Sequence, residues 1–155
     1  MNKYEELLNE AINAGISVDE DFPFIGETSG LYLNGNIALS DKLETTAEKA
    51  CVLAEELGHH HTTVGNIIDL DNPQNRKQER QARLWAYNKQ IGLTGLIRAY
   101  ENGCQNRHEV AEYLEVTEEF LLEAMDFYRD KYGIGITTDN YYIMFIPNLQ
   151  IMKLI

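Results

Sequence analysis

The sequence contains few basic residues and few cysteines. Its 155 residues include 25 Asp and Glu against 13 Lys and Arg, which gives a formal net charge of −12. A surface with this charge disfavours binding to nucleic-acid backbones or anionic membranes, because both interactions need a basic face. The two cysteines, Cys51 and Cys104, are too few for a disulfide framework, so we expect a reducing, cytoplasmic location.

Long apolar runs are also missing. No window approaches the roughly 18 apolar residues that a membrane-spanning helix requires. The first residues, Met1–Glu6, are acidic and amphipathic, so we expect no signal peptide. Apolar residues nevertheless make up 44% of the chain, which predicts a folded protein with one sizeable core rather than disorder.

The spacing of apolar residues predicts an α+β fold that is mainly helical. Apolar positions recur at helical intervals in six segments, which are bounded by glycines and capping residues. The predicted helices cover about 4–12, 46–62, 75–91 and 96–101, followed by two more between 107 and 132. We expect Thr46 to cap the second helix and Gly92–Gly95 to separate the third from the fourth. Residues 18–24 and 65–73 are predicted to be loops.

Two hairpins complete the predicted fold. Asn34-Gly35 lies between two β-prone runs and is a strong turn signal, because both turn positions take positive φ. The second candidate hairpin turns at Pro147-Asn148. We expect a first domain over residues 1–91, a helical subdomain over 92–135 and a β-hairpin tail over 136–155.

The segment Glu55–His59 reads Glu-Glu-Leu-Gly-His and matches the zinc-peptidase pattern His-Glu-x-x-His at every fixed position except the first. In that pattern two ligands four residues apart lie on one helix face, and the intervening Glu acts as general base. Glu55 and His59 can therefore share one ion. Glu56 is rotated from Glu55 by about 100°, so it can reach a water beside the ion without being a ligand.

Glu79 is the best candidate for a third ligand. It shares one face of the next predicted helix with Ala82 and Ala86. These two small residues would let that helix come close to the helix of the motif, and Gly58 would leave room for the neighbouring backbone. Such an approach is needed for a glutamate on one helix to reach an ion held on the other.

A family resemblance rests on three segments: Thr46–Lys49, Leu53–His60 and the pattern Glu79-x-x-Ala82-x-x-x-Ala86. Together with the preceding hairpin they are similar to the ImmA/IrrE family of metallo-endopeptidases, which occur in phages and integrative elements. The similarity covers roughly residues 1–132. It implies that the first domain is a zincin-like peptidase, that zinc is the cofactor and that the substrate is a helix-turn-helix repressor.

The resemblance also assigns roles to single residues. It implies that Glu56 is the catalytic base and that His59 and Glu79 are metal ligands, whereas Glu55 stands where the family has its first histidine. A Glu/His/Glu set can bind zinc, but it is harder and more negative than His/His/Glu. We therefore expect weaker zinc binding and a shift towards manganese or another oxygen-preferring ion. The alternative function is a non-catalytic antirepressor, a regulatory protein-binding module with a degenerate site.

A peptide substrate is expected to add as an extended strand along the Asn34-Gly35 hairpin. The residues predicted to contact it are Leu31, Leu33, Ile37 and Leu39. The 107–128 segment resembles a helix-turn-helix, but its second helix is rich in glutamate, which phosphates would repel. We interpret it as a packing unit or a protein-binding surface.

The remaining conspicuous side chains have structural interpretations. Cys51 and Trp85 are predicted to pack in the core. His60 and His61 are expected to cap the end of their helix or to hydrogen-bond within the cleft.

Overall fold

The structure is a computed structural model and describes residues 1–62 and 73–154. The loop predicted at 65–73 lies almost wholly outside these residues. The contacts divide the chain into two compact units, Met1–Ala86 and Tyr87–Ile155. The elements in chain order are α1 Lys3–Asn13, β1 Ser17–Phe22, β2 Gly30–Leu33, β3 Asn36–Ser40, α2 Thr46–Thr62, α3 Pro73–Gln90, α4 Gly92–Glu101, α5 Arg107–Leu114, α6 Glu118–Tyr132, β4 Gly135–Thr138, β5 Tyr141–Met144 and β6 Gln150–Lys153.

The first unit contains a three-stranded sheet with the order β1-β3-β2. β2 and β3 are antiparallel and joined by Asn34 and Gly35, whose φ angles are 49° and 79°. The Asn-Gly hairpin prediction is therefore confirmed. β1 runs parallel to β3 along its other edge, so β3 is the central strand.

The loop predicted at 18–24 was wrong, because Ser17–Phe22 is strand β1. Its sequence, Ser-Val-Asp-Glu-Asp-Phe, lacks the alternation of apolar and polar residues that marks a half-buried strand. Backbone pairing with β3 holds it instead, and Tyr4 on α1 donates a hydrogen bond of 2.6 Å to Glu20. A polar edge strand of this kind depends on a partner distant in sequence.

Helix α2 carries the motif and forms the core of the first unit. It packs against α1, β2 and β3 through the buried residues Ala50, Leu53, Ala54 and Leu57. Its predicted N-cap, Thr46, was wrong by one position. The hydroxyl of Thr45 accepts a hydrogen bond from the Glu48 amide at 3.1 Å, and the Glu48 carboxylate accepts one from the Thr45 amide at 3.2 Å. This reciprocal pair is a capping box.

Helices α2 and α3 approach each other closely at two small residues. A Cβ atom built on Gly58 would collide with the carbonyl oxygen of Ala82, and Ala82 and Ala86 are fully buried. The predicted close approach of the two helices is therefore confirmed, as is the burial of Cys51. Trp85 is only half-buried and stacks on His61, with ring centroids 4.8 Å apart, so its assignment to the core was wrong.

The second unit is built from α4, α5, α6 and an antiparallel sheet with the order β4-β5-β6. The two helices predicted between 107 and 132 are confirmed, with Thr117 accepting a hydrogen bond from the Phe120 amide as the N-cap of α6. The predicted break between the third and fourth helices is confirmed, but it lies at Ile91 and not over Gly92–Gly95: α3 ends at Gln90 and α4 begins at Gly92, which has a φ of 63°.

The C-terminal hairpin is confirmed as β5 and β6, but β4 was not predicted. β4 pairs with β5 through a turn in which Asp139 has a φ of 52°. Overall, helices and two small sheets give the mixed α/β composition that was expected. The predicted boundaries near residues 91 and 135 stay predictions. Among the residues described, no helix is long and apolar enough to cross a membrane.

Candidate metal centre

Three side chains from two helices converge beside the Gly58–Ala82 contact. Glu55 and His59 lie one turn apart on α2, and Glu79 comes from α3. Glu79 Oε2 lies 3.1 Å from His59 Nε2. One ligand atom from each of the three residues lies within 4.8 Å of the others. The structure thus brings together the three side chains that the sequence predicted as ligands.

The donor set suits a divalent cation. Zinc takes imidazole nitrogen and carboxylate oxygen at about 2.0–2.2 Å, so donor atoms this close together need only small side-chain adjustments to share an ion. Glu56, the neighbour of Glu55 on α2, adds a further polar group, and its Oε2 is buried without a hydrogen-bond partner among the described residues. Such buried orphan atoms are rare and commonly mark a functional site.

Glu56 is the most buried carboxylate of the cluster, with 7% of its surface exposed. Its Oε1 lies 4.0 Å from His59 Nε2. Burial raises the pKa of Glu56 to about 7, with His59 opposing the rise and the Glu55 and Glu79 charges adding to it. A carboxyl group with a pKa near neutrality can both accept and return a proton at physiological pH, as a general base must.

The other three groups influence one another electrostatically. Burial raises the pKa of Glu55, and a hydrogen bond and charge repulsion with Glu79 raise it further. The hydrogen bond with His59 is the main reason that the pKa of Glu79 is lowered. Burial alone would lower the pKa of His59, but Glu79 and the neighbouring carboxylates raise it overall. Negative charge is therefore concentrated around one imidazole, which favours a cation there.

Arg83 also belongs to the site and was missed by the sequence analysis. Its Nε lies 3.5 Å from Glu55 Oε1 and 3.5 Å from Glu79 Oε1. The available signal was its spacing of four residues from Glu79 on the same helix. The contact with Glu55, across to α2, had no signal in the sequence.

Strand β2 runs beside the carboxylates. A Cβ atom built on Gly30 would lie 2.5 Å from Val52 Cγ1 and 3.2 Å from Glu56 Cγ, so only glycine allows the strand to lie this close to the helix. Tyr32, two residues along, forms a hydrogen bond of 2.8 Å with His60 Nδ1. This contact agrees with one of the two roles expected of His60, a hydrogen bond in the cleft.

The four residues predicted to contact a substrate divide into two pairs. Leu31 and Leu33 on β2 are 48% and 43% exposed and are accessible to a ligand. Ile37 and Leu39 on the central strand β3 are buried in the core, which contradicts the prediction that they contact a substrate. The alternation of side chains along a strand explains the difference, because Ile37 and Leu39 point towards α2.

The chain was compared with protein families, curated proteins and solved structures. A family model described as peptidase M78, IrrE N-terminal-like domain, matches residues 13–126, which include all of the site residues. No curated protein and no solved structure matches the chain.

Proposed function

The chain belongs to the M78 family of peptidases with an IrrE N-terminal-like domain, a family of metal-dependent proteases, and we propose that it is an active metallo-endopeptidase. The observation that carries this proposal is the convergence of Glu55, His59 and Glu79 beside Glu56, whose buried Oε2 has no hydrogen-bond partner among the described residues. We assign the first three as metal ligands and Glu56 as the general base. Zinc is the proposed cofactor, with manganese as the alternative ion, and the reduced cytoplasm is the proposed location.

The geometry supports a separate role for the metal ligands and for Glu56. A divalent ion bound by this set would polarise the scissile carbonyl and make a water molecule more acidic. As general base, Glu56 would take a proton from the attacking water and would later pass it to the leaving amine. The pKa of Glu56, about 7 in the metal-free site, would fall when a cation binds nearby, so its carboxylate form would dominate at neutral pH. Its burial keeps bulk water from competing for the proton.

An extended segment of the substrate is proposed to lie against β2. Within residues 1–62 and 73–154, β2 pairs with β3 alone, so its outer edge is available for an added strand. Leu31 and Leu33 on this strand are exposed and would contact substrate side chains. Gly30 lets the strand, and with it a bound peptide, lie next to Glu56. This arrangement of helix pair and edge strand supports the zincin-like architecture that we propose for residues 1–91.

The proposed substrate is a helix-turn-helix repressor of a phage or mobile element, which is what the ImmA/IrrE resemblance implies. The α5–α6 pair supports a contact with protein rather than DNA. Its second helix begins with Glu118 and Glu119, and negative charge there would repel phosphates. We therefore propose that this helix-turn-helix-like part of the chain is a packing or protein-binding unit.

The test combines metal content with proteolysis by the full-length chain. The metal content of the wild type would be measured by elemental analysis, and cleavage of a purified phage-type helix-turn-helix repressor and of a proteome-derived peptide library by mass spectrometry. We expect about one metal ion per chain and defined cleavage sites. Glu56→Gln should keep the metal and abolish cleavage, whereas Glu6→Gln, which neutralises an exposed glutamate on α1, should leave cleavage unchanged. The proposal that the chain is an enzyme would be refuted if the wild type contained no metal. It would also be refuted if Glu56→Gln still cleaved the substrate.

A second candidate function is a non-catalytic antirepressor that holds its partner by contact alone. The observation in its favour is the Glu55–Arg83 ion pair, which satisfies part of the acidic cluster without a metal. This candidate predicts repressor binding that persists in Glu56→Gln and in the presence of a chelator, with no peptide-bond cleavage in any variant. Gel filtration of the mixed proteins, followed by mass spectrometry of the repressor, separates the two functions.

A further inference from the structure

Arg83 contacts both carboxylates at the outer side of the site. Its Nε is 3.5 Å from one oxygen of Glu55 and 3.5 Å from one oxygen of Glu79. The oxygen of Glu79 that approaches Arg83 is Oε1, whereas Oε2 approaches His59 Nε2 at 3.1 Å. Glu79 therefore presents one oxygen to the proposed ion and the other to the guanidinium, in the way that outer hydrogen-bond partners orient ligating carboxylates.

Glu55 adds a negative charge to the ligand set, because it stands at a position where the motif has a neutral imidazole. The guanidinium of Arg83 carries a positive charge, so it offsets one carboxylate charge at this position. We propose that Arg83 compensates the charge of Glu55 and thereby sets which cation the centre prefers. This inference rests on the proposed function, since it concerns the selectivity of the same centre.

An ordinary surface ion pair would not have this effect. The Arg83 side chain is 49% exposed, and exposed pairs contribute little to folding stability. Its position matters for a different reason, because its charge acts on the two oxygen donors of the site. Loss of Arg83 should therefore leave the fold unchanged and alter metal binding, which separates its role from a structural one.

The direction of the change follows from donor chemistry. Two uncompensated carboxylates form a harder and more negative donor set, which suits oxygen-preferring ions such as Mn²⁺. With Arg83 in place, the carboxylates are less basic and the set resembles the one with two imidazoles. Arg83 thus acts as a positioning residue, through Glu55 and Glu79, that maintains the preference for Zn²⁺ over Mn²⁺.

The experiment measures Kd for Zn²⁺ and for Mn²⁺ on the full-length chain, by competition with chromophoric chelators. The variants form a double-mutant cycle: wild type, Arg83→Met, Glu55→His and the combination of the two. Two further variants are controls. Arg83→Lys keeps the positive charge at this position. Lys77→Met removes an exposed positive charge elsewhere on the same helix, two residues before Glu79. Thermal unfolding with chelator present reports the fold of each variant without metal.

We expect Arg83→Met to lower the ratio of the Mn²⁺ Kd to the Zn²⁺ Kd by up to about tenfold, since loss of an outer partner changes the affinity for a single metal by about 10–100-fold. Arg83→Lys should restore most of the ratio, and Lys77→Met should not change it. In the Glu55→His background the same Arg83→Met change should have a clearly smaller effect, because only Glu79 then remains to be compensated. Unfolding temperatures of the metal-free variants should agree closely.

Three results would overturn the inference in different ways. An equal effect of Arg83→Met in both backgrounds would show that Arg83 serves Glu79 alone, and no effect in either would show a surface pair without function. Neither result would contradict the proposed peptidase function if the wild type binds metal and cleaves its substrate. Metal binding by Arg83→Met but not by the wild type would show instead that Arg83 occupies the place of the ion, and the enzyme assignment would then fall as well.

Discussion

Glu79 Oε2 lies 3.1 Å from His59 Nε2, although the two residues belong to different helices. The contact exists because α3 passes close to α2 at Gly58, where the carbonyl of Ala82 occupies the space that a Cβ atom would need. The centre therefore depends on the absence of a side chain one residue before its histidine.

The first prediction concerns that contact. Gly58→Ala should force α3 away from α2 and separate Glu79 from His59. Overpacking of this kind destabilises a domain by about 1–3 kcal/mol, and metal affinity should fall with it. Urea unfolding and metal titration would check the two effects. Gly95→Ala on α4 is the control, because its added methyl group would meet only the end of the Leu114 side chain, at 3.3 Å. Equal behaviour of the two variants would contradict the packing argument.

The second prediction concerns the pH dependence of the metal-free protein. Burial raises the pKa of Glu56 from 4.5 to about 7, so the folded state holds this proton more tightly than the unfolded state. Protonated Glu56 therefore contributes to the free energy of unfolding. This contribution is fully present below pH 4.5 and is lost as pH rises towards 7. Glu56→Gln removes this loss, so the variant should become more stable than wild type by up to about 3 kcal/mol at pH 8.

The measurement is urea unfolding of both proteins at pH 5 and at pH 8, with a chelator present throughout. Comparing the two proteins cancels the contributions of Glu55, His59 and Glu79 to a first approximation, because both contain them. Parallel stability profiles across this pH range would show that Glu56 titrates as an exposed carboxylate does.

The third prediction concerns the strand beside the site. Gly30→Ala would place a methyl group 2.5 Å from Val52 Cγ1 and 3.2 Å from Glu56 Cγ, which pushes β2 and Glu56 apart. We expect proteolysis to fall by at least tenfold while metal content is retained, because a displacement of about 1 Å can lower a rate a hundredfold. Adding Val52→Ala should make room for the methyl group and recover part of the rate. If the double variant recovered no proteolytic activity, the collision with Val52 would not be the cause of the lower rate.

The fourth prediction concerns the start of the motif helix. Thr45→Ala removes the side chain that accepts from the Glu48 amide and should destabilise the first unit by about 1 kcal/mol. Thr46→Ala, one residue further along, should have little effect. Thermal unfolding of the two variants would decide between the positions, since a larger loss from Thr46→Ala would restore the cap expected from the sequence.

The helices could be predicted because their signals are local. Apolar spacing and capping residues located α2, α3, α5 and α6 to within a few residues, and Asn34-Gly35 located the first hairpin. The strand β1 could not be found in this way, since four of its six residues are polar and its hydrogen bonds come from β3 in parallel pairing. β4 was missed for a related reason, because its four residues form a strand only through pairing with β5.

The candidate site, too, could be predicted only where local signals define it. The spacing of Glu55, Glu56 and His59 on one helix follows from helical geometry. The substrate-contact prediction failed for Ile37 and Leu39, because the hairpin pattern does not say which of its faces meets α2.

The amino-acid pattern is enough to identify the groups of the site: which carboxylates and which imidazole share a turn of helix, and which residue departs from the peptidase pattern. Short-range geometry is sufficient for that, because neighbours along a helix have fixed relative positions. Only the tertiary structure placed Glu79 at His59, buried Glu56 beneath β2 and brought Arg83 to Glu55. Those relationships depend on how closely α2, α3 and β2 pack, and packing distances are set by side chains far apart in the chain.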